Sequence, residues 1–256
     1  MFDINELYDY VYKEFKIKLE AYKEVQMHRR IEFFISKTSA KSIKDFIDLC
    51  KKNNIIKEQF LDLITINVTE FFRNMDIFLQ IKDVFRKALP KKEKYMIWSS
   101  ACSNGAEPYS VAMILENINV HNYKILATDI DKNVLDYANN GIYSEDEIGE
   151  VPNYYLIKYF EKYGNKYKIK NFIKDKVVFR RHDLILDEFP VCMDLILCRN
   201  VVIYFKKEEK MKIYNKFYKS LNDNGIVFIG ATVNIYDYQQ IGFNKWGTFF
   251  YQKVVR

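Results

Sequence analysis

The sequence predicts an α/β protein: a mostly parallel sheet covered by helices, preceded by an all-helical region. From Tyr95 onward short apolar runs alternate with helical patterns, and parallel strands, buried on both faces, need crossover connections of this kind. Before them, the first ninety residues place apolar side chains at helical spacing, with no strand pattern between.

In the helical region apolar residues recur through Leu7, Val11 and Phe15, through Ile43, Phe46 and Ile47, and through Ile77, Ile81 and Phe85. Pro90 and the charged run Lys91 to Lys94 mark a boundary, so residues 1–90 form one expected domain and residues 91–256 the other. The expected strands are Tyr95 to Ser99, Ile125 to Thr128, Val177 to Phe179, Asp194 to Cys198 and Ile226 to Gly230, with Thr248 to Val255 as an antiparallel closing strand. Residues 151–176 are longer, more aromatic and more basic than the single helix that would suffice there, and read as an inserted subdomain.

With 49% apolar residues, 8 Gly, 4 Pro, 20 Tyr and 20 Phe in 256 residues, the chain has a real core and is not a low-complexity polymer. Cys50, Cys102, Cys192 and Cys198 form neither CxxC pairs nor a cluster with histidine, so neither a zinc site nor a disulfide framework is indicated. No apolar run is long enough to span a bilayer, and the first ten residues lack a signal-peptide core; the expectation is a cytoplasmic protein without membrane insertion. Basic residues concentrate in two stretches. Val11 to Lys44 holds nine Lys/Arg against four Glu, and Lys158 to Arg181 holds nine against Glu161 and Asp175. Each suits an acidic partner or simply a solvated face.

In an open α/β sheet, ligands bind beyond the carboxyl ends of the strands. The turn after the first strand, Ser99 to Pro108, is built of small residues that let backbone approach a ligand, although a GxGxxG fingerprint is absent. The second strand ends in Ala127-Thr128-Asp129-Ile130-Asp131, with Asp129 24 residues past Gly105, close to the offset of a ribose-binding acid. Asp131 is the better N-cap for the following helix. Asp183, after the third strand, can accept from an adenine amino group or act as a turn former. Trp98 and Cys198 read as buried sheet residues, and His28, His121 and His182 show no ligand spacing.

Four blocks, in order and spacing, resemble the chemotaxis receptor methyltransferase family, CheR. They are Asn67-Val68-Thr69-Glu70-Phe71-Phe72-Arg73, Trp98 to Ser110, Ala127 to Tyr143, and Cys198-Arg199-Asn200-Val201-Val202-Ile203-Tyr204-Phe205. The resemblance implies a Rossmann-like class I methyltransferase domain behind the helical domain, with a small inserted β-subdomain. It implies an enzyme that moves the methyl group of S-adenosylmethionine (SAM) onto glutamates of methyl-accepting chemotaxis receptors, leaving methyl esters and S-adenosylhomocysteine without a metal. By this likeness Asn67, Thr69, Arg73, Glu107, Asp129, Asp183, Leu184, Arg199 and Asn200 line the cofactor pocket, and Arg73 and Tyr204 stand nearest the reacting groups. The basic helix around Lys23, Arg29 and Arg30 is the implied docking surface for the receptor's acidic cytoplasmic domain. The Tyr159 to Lys166 segment is shorter than the Gly-rich turn of members that bind a receptor tail peptide, which points to a peptide-independent enzyme; a monomer without nucleic-acid partners is expected. The rival reading is an RNA methyltransferase, with Tyr159, Phe160, Tyr163, Tyr167 and Phe172 as a stacking surface among lysines. A third, a silent SAM-binding signalling module, would need loss of Arg73 or Tyr204, and both are present.

Overall fold

A computed structural model of the chain describes residues 4–67, 69–230 and 234–254. Val68, inside the first motif block, and Val255, at the end of the expected closing strand, lie outside the described residues. The chain divides into two compact units: one runs up to Asn67 and takes in Tyr204–Met211, and the other holds the remainder.

The first unit is helical: α1 (Ile4–Phe15), α2 (Glu24–Ser36), α3 (Ile43–Lys52) and α4 (Asn54–Thr65). Their apolar stripes supply Leu7, Val11, Ile31, Phe46 and Phe60 to its core, each fully buried, with Phe46 and Phe60 edge to face at 4.8 Å. Side-chain caps set two of the starts. Ser42 accepts from the Asp45 N–H, and Asn53 accepts from Ile55 and Ile56, satisfying donors that a helix N-terminus leaves open.

In the second unit the short helices α5 (Met75–Phe78) and α6 (Ile81–Asp83) lead into a π-helical turn, Val84–Ala88. Then come β1 (Tyr95–Ser100), α7 (Ala106–Asn117), β2 (Tyr123–Asp129), α8 (Lys132–Asn140), β3 (Ile142–Tyr143), α9 (Asn153–Tyr159), β4 (Phe160–Tyr163), β5 (Lys166–Ile169), α10 (Asn171–Lys174) and β6 (Val177–Arg181). β7 (Met193–Leu197), α11 (Lys207–Ser220), β8 (Leu221–Phe228), α12 (Tyr238–Ile241), β9 (Phe243–Lys245) and β10 (Phe250–Lys253) complete the chain.

Seven strands form one sheet in the order β6-β2-β1-β7-β8-β10-β9. The first five run parallel, and β10 pairs antiparallel with both β8 and β9. This is the mixed α/β sheet that the alternation predicts, including the antiparallel closing strand. Ile97, Trp98, Leu195, Ile196, Leu197, Ile226 and Phe228 are fully buried, as strands covered on both faces require. The change of sequence character at Pro90 and the division between units do not coincide. Phe71, Phe72, Phe78, Ile81 and Val84 are buried in the same apolar cluster as Ile97 and Phe228, so residues well before Pro90 serve the sheet's core.

The inserted segment supplies β4 and β5, which join β3, Ile142–Tyr143 from ahead of it, in a second, three-stranded sheet of order β3-β5-β4. Its hairpin pairs Tyr163 with Lys166, leaving only Gly164 and Asn165 at the turn.

Candidate functional site

Strand order reverses between β1 and β7: from β1 the sheet grows through β2 to β6, and from β7 through β8 in the other direction. Loops that leave the carboxyl ends of two strands at such a switch diverge and open a crevice. The loop after β1 leads into the first turn of α7, which carries Glu107, and the loop after β7 carries Arg199.

The loop after β1 is wound tightly. Ala101 (φ 63°), Ser103 (φ 49°) and Gly105 (φ 86°) are all left-handed, and the Cys102 N–H donates to the Thr128 carbonyl at 2.8 Å. A side chain at residue 105 would put its Cβ 2.8 Å from Ala138 Cβ and 3.1 Å from the Tyr143 hydroxyl, so glycine there is required by space as well as by φ. Gly105 opens α7, whose residues from Ala106 through Leu115 are all buried.

Glu107 and Arg199 meet inside the protein. The Glu107 carboxylate accepts from Ser99 Oγ at 2.7 Å and from Arg199 Nη1 at 3.4 Å, and both side chains are under 10% exposed. Burial pushes the Glu107 carboxyl up, against the opposing pull of the Arg199 guanidinium and the Ser99 hydroxyl. Burial likewise pulls Arg199 down, with Glu107 opposing. Arg199 lies between the rings of Phe78 (5.2 Å) and Phe228 (5.1 Å). Removing either member of such a pair strands the other charge in the interior, a loss of about 3–5 kcal/mol.

The second arm of Arg199 reaches the motif block before the sheet: Nη2 donates to the Arg73 carbonyl at 2.7 Å and to Asn74 Oδ1 at 3.1 Å. Phe72 (φ 54°) and Asn74 (φ 57°) flank Arg73 in the left-handed region. For a residue as bulky as Phe this state is strained by about 1–3 kcal/mol and persists only where the surroundings over-determine it. The Arg73 charge is close enough to help stabilise the Glu107 carboxylate and to weigh against protonated Arg199.

Asp129 ends β2 and is buried. One carboxylate oxygen accepts from the Ser103 N–H at 2.8 Å and the other from the Asp131 N–H at 3.1 Å. A carboxylate offers about four acceptor positions, and with the Ile130 N–H also drawing on this one at least one is left for a ligand. Burial raises this carboxyl to about 6, although the backbone donors pull it down. Asp131 instead caps α8 through the Asn133 N–H, the division of labour read from the sequence. The His182 N–H donates to the Asp129 carbonyl at 2.9 Å, bringing the loop after β6 alongside. In that loop Asp183 Oδ1 accepts from Ile185 (2.7 Å) and Leu186 (3.4 Å), so one of its oxygens closes a turn. Leu184 beside it is buried.

Among the described residues, buried side-chain polar atoms without a partner include Ser103 Oγ, His182 Nδ1 and Arg199 Nε. These three sit on the loops following β1, β6 and β7, along one edge of the sheet.

The structure thus brings Arg73, Glu107, Asp129, Asp183, Leu184 and Arg199 to one end of the sheet, with Asn200 next to Arg199 in a left-handed turn (φ 57°). Thr69 is half-buried just ahead of that block. Asn67 and Tyr204 fall in the helical unit. There Asn67 donates to Thr65 Oγ1 at 3.0 Å, and the Tyr204 carbonyl accepts from the Lys23 N–H at 2.8 Å. Tyr204 also lines a groove of about 590 Å³ with Tyr22, Lys23, Met27, Arg29 and Arg30, so the three expected docking cations, Lys23 just before α2 and Arg29 and Arg30 on it, share one concave surface. Ser99, Ser103 and Asn74 were not anticipated as partners of the site; Asn, which tolerates the left-handed state, was the one local signal at position 74.

Of the five rings read as a stacking surface, Tyr159 and Phe160 are buried while Tyr163 and Phe172 are exposed, and Lys170 spends its ammonium on the carbonyls of Ile157 and Lys158 at the end of α9. Trp98 is sheet core, its Nε1 donating to Thr128 Oγ1 at 2.9 Å. Burial pushes the Cys198 thiol up to about 12, which leaves it inert. No group of three or more His, Cys, Asp or Glu suited to a metal ion occurs among the described residues. No helix among them is long and apolar enough to cross a membrane.

Comparison with known proteins gives the family. Residues 67–248 match the family model described as CheR methyltransferase, SAM binding domain, and residues 3–65 match CheR methyltransferase, all-alpha domain. A chemotaxis protein methyltransferase from Listeria monocytogenes is 37% identical over 257 aligned residues, covering 96% of this chain and 97% of the relative. Another from Borreliella burgdorferi is 34% identical, covering 91% and 88%. One from Escherichia coli is 28% identical, covering 88% and 81%.

Proposed function

The chain belongs to the CheR methyltransferase family of SAM-dependent enzymes of chemotaxis, and on that premise we propose that it esterifies glutamate side chains in the cytoplasmic domain of chemotaxis receptors, releasing S-adenosylhomocysteine. The observation that carries this reading is the buried Glu107–Arg199 pair at the switch point and its hydrogen bond to the backbone of Arg73. That pair joins the ligand-binding edge of the sheet to a guanidinium suited to a carboxylate. The family match disfavours the RNA reading, and two of its five stacking rings, Tyr159 and Phe160, are buried.

The residues present fit SAM. Asp129 has acceptor capacity left for a ribose hydroxyl, and Asp183 with Leu184 forms the neighbouring wall expected to meet the adenine. Glu107, Arg199, Asn200, Thr69 and Asn67 are assigned to the remainder by the family likeness. When bound, SAM supplies a methyl group already activated by its sulfonium.

A glutamate carboxylate is ionised at neutral pH, so the protein need not abstract a proton; its task is placement. Holding nucleophile and methyl in line turns an encounter into an effectively unimolecular step. Arg73 orients the incoming carboxylate by charge-assisted hydrogen bonds, and Tyr204 is the second orienting side chain by the same likeness. Too tight a grip would stabilise the anionic ground state, whose charge disappears as the transition state forms. Positioning is therefore the function, not maximal binding.

The test is incubation with methyl-labelled SAM and receptor-containing membranes, followed by mild alkali. Carboxyl methyl esters release labelled methanol, and Arg73→Ala lowers its yield roughly 10²-fold, the scale for one positioned donor. Label that resists alkali, or full turnover by Arg73→Ala, overturns the proposal.

A further inference from the structure

Arg73 sits on a backbone that does not hold its shape unaided. Both neighbours are left-handed, and glycine, which would adopt that state freely, is absent from both positions. Phe72 cannot be exchanged for it without loss, because its ring packs on Tyr155 at 4.7 Å and meets Phe78 at 6.2 Å. The conformation therefore has to be imposed from outside the segment.

On the far side, Arg199 fixes the Arg73 carbonyl and Asn74. On the near side, the Phe72 N–H donates to Ser110 Oγ at 3.0 Å in a fully buried contact. Ser110 lies in α7, one helical turn beyond Ala106, and its hydroxyl donates to the Ala106 carbonyl at 2.7 Å. That bond consumes the Ser110 proton and aims an oxygen lone pair at Phe72. The receiving geometry is thus set by the first turn of α7, which follows directly from the Gly105 loop.

We propose that Ser110 is a positioning residue for methyl transfer: its hydroxyl holds the left-handed Phe72–Asn74 turn and so aims the Arg73 side chain. This rests on the reading of Arg73 as the group that orients the substrate carboxylate. Ser110 is 0% exposed, so it touches neither solvent nor receptor and acts only through the backbone it holds. An alanine there keeps the Cβ, removes the acceptor and leaves a buried N–H unpaired; the turn relaxes and Arg73 swings off line. Misplacement of about 1 Å at a reacting geometry is enough to cost 10²-fold in rate, and a partial relaxation gives about tenfold.

The experiment is a double-mutant cycle on the full chain. Ser110→Ala should lower kcat about tenfold, with a smaller change in the Kd for S-adenosylhomocysteine by calorimetry, since Arg73 also lines the cofactor pocket by the likeness. In an Arg73→Ala background the same substitution should change kcat less than twofold, because two residues acting through one guanidinium are not additive. Equal tenfold losses in both backgrounds would mark a general structural role and overturn the proposal, as would wild-type kcat in Ser110→Ala alone. If Ser110→Ala fails to fold, Ser110→Cys, which keeps a weaker acceptor of similar size, takes its place in the same cycle. Full turnover in Arg73→Ala alone is a different failure: it removes the functional reading of Arg73, and this inference with it.

Discussion

Gly105→Ala isolates what the tight loop before α7 demands of the chain. Two effects act at once. The residue keeps φ near 86°, and an L-residue in that region is disfavoured by about 1–2 kcal/mol. The new Cβ would also stand 2.8 Å from Ala138 Cβ, 3.1 Å from the Tyr143 hydroxyl and 3.3 Å from Phe179 Cζ. Ala138 is attached rigidly to α8, so helix and loop must separate, and overpacking of this kind costs about 1–3 kcal/mol. The sum, about 2–5 kcal/mol, lowers the Tm of the sheet unit by on the order of 10 °C. Gly164→Ala is the matched control: its φ is 62°, and no atom lies within 4 Å of the added Cβ, so only the conformational share, about 1–2 kcal/mol, applies. Differential scanning calorimetry of the two variants separates the terms. Equal Tm shifts would refute the steric argument, and with it the claim that the loop is wedged between α8 and the small sheet.

Burial raises the Asp129 carboxyl to about 6, so the folded protein holds that proton more tightly than the unfolded chain, where the value is near 4. The stability contributed by this group is therefore fully present below pH ~4 and is lost as pH rises through 6. Ligand binding has the opposite sign, since ribose hydroxyls need an ionised acceptor: affinity for S-adenosylhomocysteine falls about tenfold from pH 7 to pH 5, and Asp129→Asn flattens the profile. Calorimetry showing a pH-independent wild-type affinity would remove Asp129 as the acceptor. Reversing Arg29 and Arg30 to Glu on the groove of the helical unit slows receptor methylation roughly tenfold at low salt, with the gap closing as salt screens the charges and the cofactor Kd unchanged. Equal initial rates at low salt would sink the docking assignment.

Much of the fold is local and therefore legible. Apolar runs marked five parallel strands and the antiparallel closing strand because a strand buried on both faces leaves a continuous apolar signature. Two short strands were missed for the same reason: Ile142–Tyr143 and Phe243–Lys245 are too brief to show a pattern. The helical period through Ile77, Ile81 and Phe85 is present, yet the segment folds as short helices and a π-helical turn whose apolar side chains enter the sheet's core, so the units divide well before Pro90. Asp129 and Asp131 were separable by sequence alone, because a helix cap belongs at the residue preceding the helix.

The amino-acid order by itself determined the longer strands and helices, the small-residue turn and the acidic residue that closes the second strand, all of which depend on neighbours a few positions away. The tertiary structure decided the rest of the site. Arg199 meets Glu107 across 92 residues and the Arg73 carbonyl across 126. Those pairings follow from which strands lie beside one another and where their order reverses, and from backbone angles that no residue type at positions 72 or 103 announces. Local propensity carries no record of either, because both are imposed by contacts that exist only once the sheet has formed.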